Sequence, residues 1–82
     1  MTAADLPTTF DHDIDWDAGH LGCGDLVLAL RQRVRAAPGQ VFKVTALDAG
    51  ASADIPAWCR MTGHALVAHD PQAHAFWVRA KP

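Results

Sequence analysis

The 82-residue chain is 50% apolar and 20% charged, with a formal net charge of −2. That balance suits one small folded domain and excludes a disordered chain, and two cysteines are too few for a disulfide framework. Outside a stretch holding Arg31, Arg33 and Arg35 there is no basic block, which argues against direct nucleic-acid binding. No apolar run approaches the ~18 residues of a membrane span.

Residues 1–9 read as a flexible tail and residues 10–82 as a single domain. The opening "MTAADLPTTF" has neither the basic start nor the apolar stretch of a signal peptide, so the expectation is a cytoplasmic protein with reduced thiols. "FDHDIDW" alternates, with Phe10, His12, Ile14 and Trp16 on one face and Asp11, Asp13 and Asp15 on the other, the period of a strand with one buried side. "DAGHLGCG" reads as a loop turned by Gly19, Gly22 and Gly24.

From Asp25 to about Ala37 the period becomes helical, with Leu26, Val27, Leu30 and Val34 on one stripe and Arg31 and Arg35 on another. Asp25 in the first turn and arginines in the last turns suit the helix dipole. "VFKVTALD" is a second strand, burying Phe42, Val44 and Ala46. A second helix follows, with Ser52 or Asp54 as its N-cap, Ile55, Trp58, Cys59 and Thr62 on its apolar stripe and Gly63 as its stop. "HALVAHD" and "HAFWVRA" form a closing hairpin around "PQA".

The order β-α-β-α-β-β predicts an α+β fold: a two-layer sandwich, with a four-stranded mixed sheet carrying both helices on one face. The other face would hold Val41, Lys43, Thr45, Trp77 and Arg79, partly exposed, and is a candidate contact surface.

Chemistry centres on Cys23. A thiol reacts as its thiolate, which unpaired N–H groups and the dipole at a helix start stabilise. Cys23 lies two residues ahead of Asp25, between Gly22 and Gly24, which leave a sulfur there uncovered. Asp25 acts in the opposite sense, since a carboxylate nearby disfavours a second negative charge. The competing reading makes Cys23 a small residue at a crowded turn. Cys59, on an apolar helix stripe beside Trp58, reads as a small hydrophobe and serves as the internal control.

The five histidines raise the question of a metal. His20 and Cys23 are three apart and Cys59 and His64 five apart, but His12, His69 and His74 fall on other elements, and no CxxC or HxxxH pair occurs. No metal site, P-loop, dinucleotide fingerprint or Ser/His/Asp order is expected.

"WDAGHLGC", "LVLALR", "ALD" and "DIPAWCRMTGH" together resemble the TusA (SirA-like) family of small sulfur carriers, over residues 16 to about 79. The family pattern LDxxGLxCPxP is matched by Trp16-Asp17, Leu21 and Cys23. Asp48, Asp54, Ile55, Pro56, Cys59, Gly63 and His64 match its later segment. The chain departs from the pattern at Cys23-Gly24-Asp25-Leu26, where the family has Cys-Pro-x-Pro, and at His20, where it has glycine.

The resemblance implies the same β-α-β-α-β-β fold and a sulfurtransferase-type sulfur relay. Cys23 would hold sulfane sulfur as a persulfide, passed from a cysteine desulfurase or rhodanese-type donor to an acceptor protein, with no metal or organic cofactor. His20, Gly22, Gly24 and Asp25 would form the thiol's surroundings. Arg31 and Arg35 would offer a basic docking stripe, on a monomer or weak dimer. The alternative is a binding or regulatory module of the same fold that has lost persulfide chemistry and works through the face around Trp77.

Overall fold

A computed structural model describes residues 11–82, with elements β1 (Ile14–Gly19), α1 (Cys23–Ala36), β2 (Val41–Ala46), α2 (Ala51–Thr62), β3 (Ala65–Asp70) and β4 (Ala75–Arg79). The tail expected over 1–9 and the strand position of Phe10 lie outside the described residues. The strands form one four-stranded sheet in the order β1-β2-β4-β3. β1 runs parallel to β2, and the other two pairings are antiparallel, so the sheet is mixed as expected.

The alternation in β2 buries Phe42, Val44 and Ala46, and the register sets Phe42 beside Val78 and Val44 beside Phe76 on the same face. Leu26, Leu30 and Val34 of α1 and Ala51, Ile55 and Cys59 of α2 join them in one core cluster. Ile14, Trp16 and Leu66 pack against its margins. Each helix thus buries a stripe and leaves the opposite side to solvent.

Several boundaries differ from the sequence reading. β1 starts at Ile14, so Asp11, His12 and Asp13 precede the strand, and β2 stops at Ala46, short of Leu47 and Asp48. β1 runs on to Gly19, because parallel pairing continues through Asp17–Thr45 and Gly19–Ala46 across a register shift that Gly19 absorbs at φ 58°. α1 starts at Cys23 rather than Asp25, since extended Gly22 serves as its N-cap and accepts the Leu26 N–H at 2.7 Å. α2 starts at Ala51 with Gly50 as N-cap and no side-chain cap, so neither Ser52 nor Asp54 caps it. Asp48 shapes that entry instead, its carboxylate accepting the Gly50 N–H at 2.9 Å and its carbonyl the Ala51 N–H at 3.1 Å.

A further difference bears on function. Trp77 does lie opposite the helices, paired with Lys43 of β2 and Ala68 of β3, but it is 0% exposed. Its strand is internal to the sheet, Lys43 Nζ stands 5.8 Å from its ring, and Val41, Lys43 and Thr45 are themselves half-buried. The expected exposed aromatic surface is absent.

Gly63 ends α2 in the left-handed region at φ 87°, and its N–H donates to the Cys59 carbonyl. Gly63→Ala is therefore expected to lower unfolding free energy by about 1 kcal/mol through backbone strain alone. Leu30→Ala, which empties a fully buried position, is expected to lower it by about 3 kcal/mol. Urea denaturation of both variants checks the ratio, and equal effects would contradict this account of the core.

Candidate functional site

The chain leaves β1 at Gly19, turns through His20, Leu21 and Gly22, and enters α1 at Cys23. Cys23 is thus the first residue of a 14-residue helix rather than a loop residue ahead of it. The N-cap residue, Gly22, has no side chain to bond the first N–H groups of the helix. Gly22 and Gly24 are exposed, and a Cβ built on either would meet nothing within 4 Å. His20 and Asp25 are exposed as well, and Leu21 stands 37% open. The segment around Cys23 is therefore accessible on both sides, with one carboxylate in the first turn.

A groove of about 340 Å³ between the helices begins beside this point, lined by Gly24 and Val27 of α1 and by Asp54, Ala57, Trp58 and Met61 of α2. Met61, 84% exposed, is shared with a second groove of about 320 Å³ lined by Arg31, Arg35, Thr62, His64 and Lys81. The three arginines of α1 divide according to face. Arg33 lies over the Trp16 ring at 4.3 Å, whereas Arg31 and Arg35 are exposed along the second groove. No carboxylate lines that groove.

The sequence matches the Sulfurtransferase TusA family model over residues 15–80. The chain belongs to the TusA family. It is 38% identical over 77 residues to the sulfur carrier protein TusA of Pseudomonas entomophila (strain L48), covering 90% of this chain and 96% of the relative. Identity to the proteins of the same name is 39% over 75 residues in Pseudomonas aeruginosa (strain LESB58), covering 85% and 95%, and 39% over 77 residues in Pseudomonas putida (strain GB-1), covering 90% and 96%.

Within this TusA-family domain the second cysteine sits midway along α2. Cys59 is 3% exposed in the core, and burial pushes its thiol up to about 11. Among the described residues no group of three His, Cys, Asp or Glu side chains could hold a metal ion; His69 lies on β3, and His12, His20 and His74 lie in separate connecting segments.

Lys81 and the His64–Trp58 stack, with ring centroids 4.9 Å apart, are parts of the site that the sequence reading did not assemble. The spacing of Trp58 and His64 across a helix-ending glycine was a usable signal. Lys81, brought there only by the path of β4, left none.

Cys59 gives a pH prediction. A thiol whose folded pKa is raised from 9.0 to about 11 contributes stability fully below pH 9, and that contribution is lost as pH rises toward about 11. Unfolding free energy should therefore fall across that window, and Cys59→Ala should remove this part of the fall. A Cys59→Ala variant with the same alkaline slope would contradict the assignment.

Proposed function

We propose that this protein carries sulfane sulfur as a persulfide on Cys23, as a cytoplasmic sulfurtransferase-type relay between a donor enzyme and an acceptor protein. The carrying observation is the placement of the family's motif cysteine at an uncapped helix start between two open glycines. The Cys23 thiolate attacks the outer sulfur of a persulfide on a cysteine desulfurase or rhodanese-type donor. The donor's inner S–S bond breaks, a new S–S bond forms on Cys23, and the donor cysteine leaves as thiolate, with no net oxidation. Attack by an acceptor thiolate repeats the exchange. Neither step requires a metal or organic cofactor.

The altered motif changes degree rather than kind. Gly24 in place of proline loosens the helix start by about 1 kcal/mol of backbone entropy. Asp25 opposes the thiolate, but it is exposed and screened, so its effect is a few tenths of a kcal/mol. The helix start favours an anion by about 0.3–1 kcal/mol, so the favourable effect prevails. His20 stands on the approach to Cys23, and Arg31 and Arg35, joined by Lys81, offer cations for acidic partner surfaces. The binding-module alternative relied on an exposed Trp77, and that ring is 0% exposed.

The test is the intact mass of reduced protein after incubation with a cysteine desulfurase and cysteine, or with polysulfide. Expected is a gain of ~32 Da that reductant removes, retained in Cys59→Ser and lost in Cys23→Ser. Persulfide on Cys59 alone, or no gain from any donor, would overturn the reading.

Charge reversal at Arg31 and Arg35 should slow loading from a protein donor by roughly tenfold at low salt, while leaving loading by polysulfide unchanged. Equal slowing with both sulfur sources would remove these residues from docking.

A further inference from the structure

His64 follows the Gly63 C-cap and closes a circuit at the far end of the inter-helix groove. Its ring stacks on Trp58 with centroids 4.9 Å apart and planes 24° apart. Its Nδ1 accepts the Lys81 backbone N–H at 3.0 Å. Lys81 Nζ in turn donates to the Thr62 carbonyl at 2.8 Å, and the Thr62 hydroxyl donates to the Trp58 carbonyl at 2.7 Å. The last turn of α2, the His64 ring and the segment after β4 are thus tied together, and Trp58 forms part of the groove wall beside Gly24.

The tie exists in one protonation state. An Nδ1 that accepts a hydrogen bond belongs to a neutral ring with its proton on Nε2, whereas imidazolium donates from both nitrogens. A proton on Nδ1 would face the Lys81 N–H, donor against donor. The charged groups around the ring are Arg31 and Arg35 from α1 and Lys81 from the segment after β4, all cationic. From α2 come Met61, Thr62 and Trp58, with no charge, and Arg79 of β4 lies in register with Ala65 of β3. Only the stacked Trp58 face favours a charged ring, and the charged groups around it all oppose one.

We propose that His64 is a proton-sensitive positioning residue that holds Trp58 and the segment after β4 in place only while its ring is neutral. On protonation the Lys81 tie breaks, the ring is no longer anchored over Trp58, and the groove wall beside Gly24 loosens. Burial, and then the Lys81 charge, lower the His64 pKa below 6.5, which places the change at mildly acidic pH. Because the folded pKa is depressed, the stability His64 contributes is present above its ordinary value and is lost as pH falls through the folded one. The inference rests on the sulfur-relay reading only for what the groove serves, and its test reads the tie itself.

NMR of the full chain, titrated from about pH 8 to about pH 5, follows the His64 ring, the Lys81 amide and the Trp58 indole. Expected is a shared midpoint below 6.5, with the Lys81 protection factor falling roughly five- to tenfold as one hydrogen bond is lost. In His64→Asn the side-chain oxygen accepts the same N–H and does not titrate, so Lys81 should stay protected throughout. A Lys81 amide and Trp58 indole unmoved while His64 titrates would overturn the proposal, as would a His64→Asn variant that loses protection in the same way. If that variant does not fold, the wild-type titration decides alone. Sulfur loading that fails while the shared midpoint persists would count against the relay and not against the tie.

Discussion

The parallel pairing of β1 with β2 governs the placement of everything else. Adjacent parallel strands cannot be joined by a tight turn, so the chain must cross back over the sheet, and α1 makes that crossing. The crossing starts where β1 ends, so the helix N-terminus stands at the C-terminal edge of the strand. Leu47 holds the same edge by donating its N–H to the Gly19 carbonyl at 2.8 Å. Cys23 owes its position to this constraint. Whatever stabilises the β1–β2 register also fixes where the first N–H groups of α1 lie.

The same geometry separates the two thiols. Cys23 begins a helix, next to residues open to solvent, whereas Cys59 lies midway along one, on the stripe that fills the core. Burial alone makes the Cys59 thiol a weaker acid than an ordinary cysteine. The cations divide in a similar way. Arg33 is drawn onto Trp16, leaving Arg31 and Arg35 along a groove that gathers Lys81 and contains no carboxylate. One helix therefore carries the family's motif cysteine at its start and positive charge along its length.

Much of this is legible in the amino-acid sequence. Alternation identified Phe42, Val44 and Ala46, and helical spacing identified Leu26, Leu30, Val34, Ile55 and Cys59, because a two-layer fold allows each element one buried side. Boundaries failed where glycine dominated. Gly19, Gly22 and Gly24 read as one loop, yet one ends a strand at a bulge, one caps a helix and one lies inside it. The capping expectation for α2 failed because Asp48, three residues before the helix, does the work locally through its own turn. The exposure of Trp77 was misjudged because periodicity assigns a face, not what surrounds it. Lys81 entered the site through tertiary path alone, seventeen positions from the ring it bonds.

The proposed role of Cys23 as nucleophile rests on the start of α1, and not on the cysteine's identity alone. It is tested most directly by the pH dependence of Cys23 alkylation in the Cys59→Ser background, measured for folded and urea-unfolded chain. The account predicts a lower midpoint in the folded protein, because the uncapped N–H groups stabilise the thiolate by more than exposed Asp25 destabilises it. A folded midpoint equal to or above the unfolded one would contradict it, and would mean that Gly24 and Asp25 have cancelled what the helix start provides.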